Sequence, residues 1–301
     1  MTARPILVTG VSGFAGWHLA RALGARHPVL GTFHTQPIEI AGVRMVACDL
    51  REIGAATKLI AEVRPSTVIH AAALTDANAC ERDTAAATLA NEIATRHLVE
   101  SVDSHAPDAR FIYFSTDLVY PGTRAFSAET DPTGPLMHYG RTKLAGERIV
   151  AARRGPSAIL RCALLYGPPS PHKSGATGWM RASIERGEPL TLFADEYRTP
   201  VHVLDVIATL EELVTRDVAP DARLLVNLGG SERLSRLAMG ETLARSLSRS
   251  AGCLRTARLA DSTLPAPRPA DVSMDTTRLA ALLGRPLLSF QDGVKHLDPV
   301  S

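Results

Sequence analysis

Tyr139-Gly-Arg-Thr-Lys143 sets a phenol and an amine four residues apart. On a helix that spacing puts both side chains on one face. A free tyrosine ionises near pH ~10, too high for easy proton exchange at neutrality. A neighbouring ammonium stabilises the phenolate and lowers that value. Lys143 can do this and also hold a ribose. Ser115-Thr116-Asp117 closes an apolar run and offers hydroxyls where a strand should end. Thr116, Tyr139 and Lys143 together suit delivery of a proton to an alkoxide formed as hydride arrives. Such help is typically worth ~10²–10⁴ in rate. Taken alone, the Tyr/Lys spacing is common on helices and more often means a packed tyrosine and a surface lysine.

A second constellation gives the first its context. Thr9-Gly-Val-Ser-Gly-Phe-Ala-Gly16 follows an apolar run at Pro5–Thr9 and opens a helical pattern at Phe14. Gly10 permits a tight turn, Gly13 lets backbone approach a pyrophosphate, and Gly16 allows close helix–strand packing. The helix start, including Ser12, Phe14 and Ala15, presents N–H groups to the anion. A carboxylate at the end of the second strand would select NAD through its ribose. Gly31-Thr-Phe-His-Thr-Gln36 has none, and no arginine either. NADP(H) is therefore favoured, with NAD(H) open. His34 is either a phosphate contact or a plain surface histidine.

These groups need a frame that brings strand ends together. Apolar runs at Val29–Phe33, Val43–Cys48, Thr67–Ala72, Arg110–Ser115 and Ser157–Cys162 alternate with helical patterns. The helical patterns are Phe14–Leu23, Arg51–Val63, Thr84–Ser104 and Leu136–Arg154. Repeated strand–helix units predict an α/β fold, a Rossmann-type doubly wound parallel sheet. After Tyr166 the texture changes to a Pro/Gly/Ser loop. Helices follow at Trp179–Arg186, Asp205–Thr215, Ser235–Ser248 and Asp275–Leu283, with strands at Leu190–Phe193 and Leu224–Leu228. Residues 1–165 read as the cofactor-binding domain. Residues 166–301 read as a smaller, mainly substrate-binding lobe with segments returning to the sheet.

Composition narrows the partners. The 301 residues carry a formal net charge of +2, with 45% hydrophobic and 21% charged side chains. That is ordinary for a globular protein and gives no case for nucleic acid or acidic lipid. No apolar run approaches a membrane span. Cys48, Cys80, Cys162 and Cys253 are scattered, so neither a metal site nor a disulfide framework is indicated. Cys48 and Cys162 read as buried thiols. No charged-then-apolar leader opens the sequence, and a reducing cytosol is the default expectation. A homodimer is one arrangement left open.

The glycine spacing resembles the short-chain dehydrogenase/reductase superfamily. That resemblance implies that Asp49, with Leu50, meets the adenine. It also implies that Ala71, Ala72 and Ala73 leave room for the cofactor, although close packing would ask for the same residues. Within the superfamily, several segments resemble dTDP-4-dehydrorhamnose reductases. They are Phe114-Ser-Thr-Asp-Leu-Val-Tyr-Pro-Gly122, Tyr139-Gly-Arg-Thr-Lys-Leu-Ala-Gly-Glu147, Asp195-Glu-Tyr-Arg-Thr-Pro200 and Arg268-Pro-Ala-Asp-Val-Ser273. The resemblance implies reduction of a 4-keto nucleotide-sugar by NADPH or NADH. Thr116 would be the catalytic hydroxyl, Tyr139 the acid, Lys143 its partner, and Asp117 an assisting acid. Arg198 and Arg268 would bind the substrate diphosphate, a task that suits a planar fork of donors. A salt bridge from Arg268 to Asp271 is the alternative. Related 4,6-dehydratases carry a glutamate base where Leu118 stands, and leucine cannot abstract a proton. A regulatory role like that of the methionine adenosyltransferase beta subunit, and an epimerase or dehydrogenase of another sugar nucleotide, remain as competing readings.

Overall fold

The computed structural model describes residues 3–216, 219 and 221–298. The apolar runs form strands β1 (Ile6–Thr9), β2 (Val29–Phe33), β3 (Val43–Ala47), β4 (Thr67–His70), β5 (Arg110–Thr116) and β6 (Ser157–Cys162). All are largely buried except β3, which is half-exposed, against the expectation of a buried strand, because it forms the edge of the sheet. Short strands β7 (Leu165–Tyr166), β8 (Leu190–Phe193), β9 (Tyr197–Arg198) and β10 (Val201–His202) precede β11 (Arg223–Leu228). One parallel sheet of seven strands runs β11-β6-β5-β4-β1-β2-β3. The order reverses between β1 and β4. Open α/β sheets bind ligands at such a reversal, outside the carboxyl ends of the strands.

Side chains alternate between the two faces of each strand. Ile6 and Val8 of β1 join one apolar cluster with Leu19 and Leu23 of α1 (Phe14–Gly24). Leu7 joins the opposite cluster with Leu59 and Ile60 of α2 (Ala55–Val63). The predicted helix from Arg51 starts four residues late. Gly54, at φ +84°, is its N-cap and turns the chain, freeing Arg51 to fold back.

Next come α3 (Ala77–Arg82), which the sequence reading missed, and α4 (Thr84–Thr88). Asp76 caps α3 by accepting from Ala79 N at 3.0 Å. The long helix predicted from Thr84 is interrupted by a π-turn at Leu89–Ile93 and continues as α5 (Ala94–His105). Such turns are rare and occur often at functional sites. Helix α6 (His138–Ala151) carries Tyr139 and Lys143.

A third apolar cluster lies beyond the sheet. It joins Tyr166, Met180 and Ile184 of α7 (Gly175–Arg186), Leu190 and Leu192 of β8, and Met239 and Leu243. Helix α8 (Val203–Thr215) follows β10, while β12 (Leu234–Ser235) pairs antiparallel with β9. Met239 and Leu243 belong to α9 (Arg236–Ser246), capped by Ser235 accepting from Ala238 N at 3.1 Å. A further strand missed in the sequence, β13 (Leu254–Ala257), pairs parallel with β8. Helix α10 (Thr277–Leu283) follows. Cys48 and Cys162 are partly exposed rather than buried, and Cys80 is the buried thiol. Cys48 lies just past β3, at the sheet edge, where no further strand covers it.

Candidate active site at the sheet reversal

Gly10 has φ +73°, and a Cβ there would stand 2.7 Å from the Ala72 Cα. A Cβ on Gly16 would stand 2.3 Å from the Gly10 carbonyl oxygen. Side chains at these positions would push α1 and the β4 exit off the turn. Gly13 caps α1 without a side-chain hydrogen bond, and no acidic residue occupies the first turn. The first N–H groups of α1 therefore face the turn with their partial positive charge uncompensated. Ser12, Phe14 and Ala15 are partly exposed around it. Ala71, Ala72 and Ala73, at the mouth of β4, are partly exposed too. Small side chains there leave a cradle that suits a dinucleotide pyrophosphate.

Thr9 and His70 face each other across β1 and β4. The His70 ring bridges Thr9 Oγ1 at 2.8 Å and Thr95 Oγ1 at 3.1 Å. Burial, then the charge of Lys143, lowers its pKa to about 3, so the ring is neutral. Asn91, on the π-turn, accepts from Leu74 N at 2.8 Å and donates to Leu74 O and Thr142 Oγ1, each at 3.1 Å. Thr142 in turn donates to the Tyr139 carbonyl at 2.8 Å. This buried polar belt ties α5 and α6 to the strand ends. The sequence reading did not single out Asn91, because nothing in residue spacing announces a π-turn.

The β5 end separates its two hydroxyls by strand alternation. Ser115 donates to Glu147, which also takes a two-pronged ion pair from Arg161. Thr116 faces the other way, donating to Asp117 Oδ1 at 3.1 Å. Its hydroxyl also bonds that of Tyr139 and pulls the phenol pKa down. That pull is outweighed. Burial first, then the Asp117 carboxylate, holds Tyr139 well above the ordinary tyrosine value. The expected lowering by Lys143 is thus corrected: taking the phenolate out of water dominates. Lys143 is itself buried, which lowers its pKa to about 7 against an opposing pull from Glu147. Its ammonium lies 4.1 Å from the centre of the Tyr113 ring.

Asp117 is fully buried, and burial raises its pKa. Arg198 grips both its oxygens, with Nε at 2.6 Å from Oδ2. The sequence reading had placed these two residues in separate roles. Arg268 is not paired with Asp271, which is held by Arg233 at 2.7 Å. Instead Arg268 reaches Asn78 Oδ1 at 3.3 Å and Met137 Sδ at 3.8 Å, two residues from Tyr139. Arg198 thus meets the residue after Thr116, and Arg268 meets the residue two before Tyr139.

At the sheet's other edge, Arg51 NH2 donates to His34 Nε2 at 2.9 Å. It also grips both oxygens of Asp49, lowering that carboxyl to about 2. The second-strand segment lacks an arginine, but the loop after β3 supplies one. Leu50 is buried beside it.

Residues 4–298 match the family described as RmlD substrate binding domain. The chain belongs to that family. This RmlD-family chain is 28% identical to the probable low-salt glycan biosynthesis reductase Agl14 of Haloferax volcanii, over 97% of this chain and 96% of the relative. Methionine adenosyltransferase 2 subunit beta of Pongo abelii is 27% identical over 97% and 86%. A hypothetical dTDP-4-dehydrorhamnose reductase from Sulfolobus tokodaii superimposes with TM-score 0.81 at 27% identity, covering 96% of this chain and 98% of that one. The RmlD-family chain is thus of the extended short-chain dehydrogenase/reductase type. Among the described residues no helix is long and apolar enough to cross a membrane.

Proposed function

We propose that the chain is an NAD(P)H-dependent reductase of a nucleotide-linked 4-keto-6-deoxysugar, similar to dTDP-4-dehydrorhamnose reductase. The observation that carries this is the placing of Thr116 at the end of β5 and of Tyr139 and buried Lys143 one turn apart on α6, beside the glycine cradle. The nicotinamide cofactor, when bound, supplies the hydride. Thr116 orients the keto oxygen. Tyr139, protonated at neutrality like any tyrosine, gives its proton to that oxygen as charge develops. Lys143 holds the ribose and, when protonated, steadies the resulting phenolate. Arg198 and Arg268 hold the substrate diphosphate, and most of the chain beyond residue 165 forms the substrate lobe. Leu118 stands beside Asp117 and has no group to act as a dehydratase base.

NADPH is the favoured cofactor. Arg51, held by Asp49 and beside His34, is the guanidinium placed where an adenosine 2′-phosphate would sit. Similarity to the adenosyltransferase beta subunit supports a second reading, a non-catalytic NADP-binding regulator. NADPH oxidation with a panel of 4-keto nucleotide-sugars separates the two. Turnover with any member supports the reductase. A chain that binds NADPH but no nucleotide-sugar favours the regulator.

A further inference from the structure

Arg236 opens α9, and its side chain is only 16% exposed. Its hydrogen-bond partner is Glu196, through Nε at 3.3 Å. Neither terminal nitrogen has a hydrogen-bond partner among the described residues. Glu196, 5% exposed, also lies 3.9 Å from Arg198 NH1. Arg198 is already held by Asp117, and Arg268 has no carboxylate within salt-bridge reach among the described residues. Arg198 and Arg236 thus divide two buried carboxylates between them, while Arg268 feels Glu196 and the exposed Asp76 only from beyond ion-pair distance. Arginine cannot shed its proton to relieve the excess. Burial, together with the charge of Arg198, lowers the pKa of both Arg236 and Arg268. A desolvated cation without a full counter-charge is costly. Such a cluster beside a catalytic centre keeps guanidinium donors free for a ligand anion.

We propose that Arg236 is a third guanidinium of the substrate's anion site, recognising the diphosphate of a nucleoside diphosphate and setting its preference over a monophosphate. This rests on the reading that Arg198 and Arg268 hold the diphosphate. Glu196 is the internal counter-ion that aims Arg236 before the ligand arrives. Arg236 comes from α9, Arg198 from β9 and Arg268 from the segment before α10, so the ligand draws three parts of the lobe together.

Calorimetric titration with dTDP and dTMP tests this, with NADPH binding as the check on folding. The parent should prefer dTDP. Arg236→Leu should weaken dTDP at least tenfold, shrink the dTDP/dTMP ratio, and leave NADPH affinity within about threefold. Arg236→Lys should recover part of the loss, since it restores charge without the fork. Unchanged dTDP affinity in Arg236→Leu overturns the proposal. If that variant also loses NADPH, Arg236→Gln replaces it, keeping a donor for Glu196; parent-like dTDP binding there overturns the proposal equally. A parent that binds neither nucleotide removes the diphosphate reading of Arg198 and Arg268, and this inference with it.

Discussion

At the sheet reversal, the strand ends and the helix carrying Tyr139 are tied by a belt of neutral hydrogen bonds, from Thr9 through His70 and Thr95 to Asn91, Thr142 and the Tyr139 carbonyl. Across the mouth of the site, Asp117, Glu196, Arg198 and Arg236 hold one another by charge. The neutral side is satisfied as it stands. The charged side has donors to spare. A reaction centre needs fixed geometry before the substrate comes, whereas a site for a phosphorylated ligand needs charge that only the ligand completes.

Tyr139→Phe is the most severe way to probe the neutral side. It keeps the ring and removes the proton, so kcat should fall by ~10²–10⁴. NADPH affinity, measured by fluorescence titration, should change little. Near-normal turnover would take Tyr139 out of the mechanism.

Arg198→Ala probes the charged side through stability. It strands the Asp117 carboxylate in the interior, so unfolding free energy should drop by about 3–5 kcal/mol in urea titrations. Arg198→Ala with Asp117→Ala should recover part of that loss. If the double variant is no more stable than the single one, the pair is not the coupled unit its geometry indicates.

Lys143→Met separates function from stability. The folded pKa is about 7, against 10.5 for the free side chain. Between those values the unfolded chain binds more protons, so this lysine's contribution makes the parent gain stability as pH rises from about 7 to 10.5. The methionine variant lacks that slope. It should lose activity yet be the more stable protein at pH 7, by on the order of a few kcal/mol, with the advantage fading toward pH 10. A constant difference across that window would show that Lys143 is not desolvated.

The smallest effect belongs to the exposed edge. Arg51→Ser should cut the kcat/KM preference for NADPH over NADH by roughly tenfold, about 1.4 kcal/mol. A parent that itself prefers NADH tenfold would sink the 2′-phosphate reading altogether.

The two sides also differ in how far their sequence could be read. The glycine turn, the strand-end Thr116 and the Tyr139/Lys143 pair each lie within one short segment. Their spacing maps directly onto a turn, a strand end or a helical face. The parallel sheet follows from the same alternation of strands and helices, but its strand order comes from the packed structure alone. Boundaries were less legible. Gly54 delays α2, and α3 is too short to show a clear period. The balance between burial and charge at Tyr139 was misread, because burial is a property of the packed fold.

By itself, the sequence determined the parallel α/β frame, the glycine turn, and the placing of Thr116 at a strand end and of Tyr139 and Lys143 on one helix, since each depends on near neighbours in the chain. Tertiary structure alone decided that Arg198 pairs with Asp117, 81 residues earlier. It also decided that Arg51 reaches His34, and that Arg236 and Arg268 are left short of carboxylates. The reason is that charge pairing acts through space between whichever groups the packed elements bring together, and no periodicity along the chain records that distance.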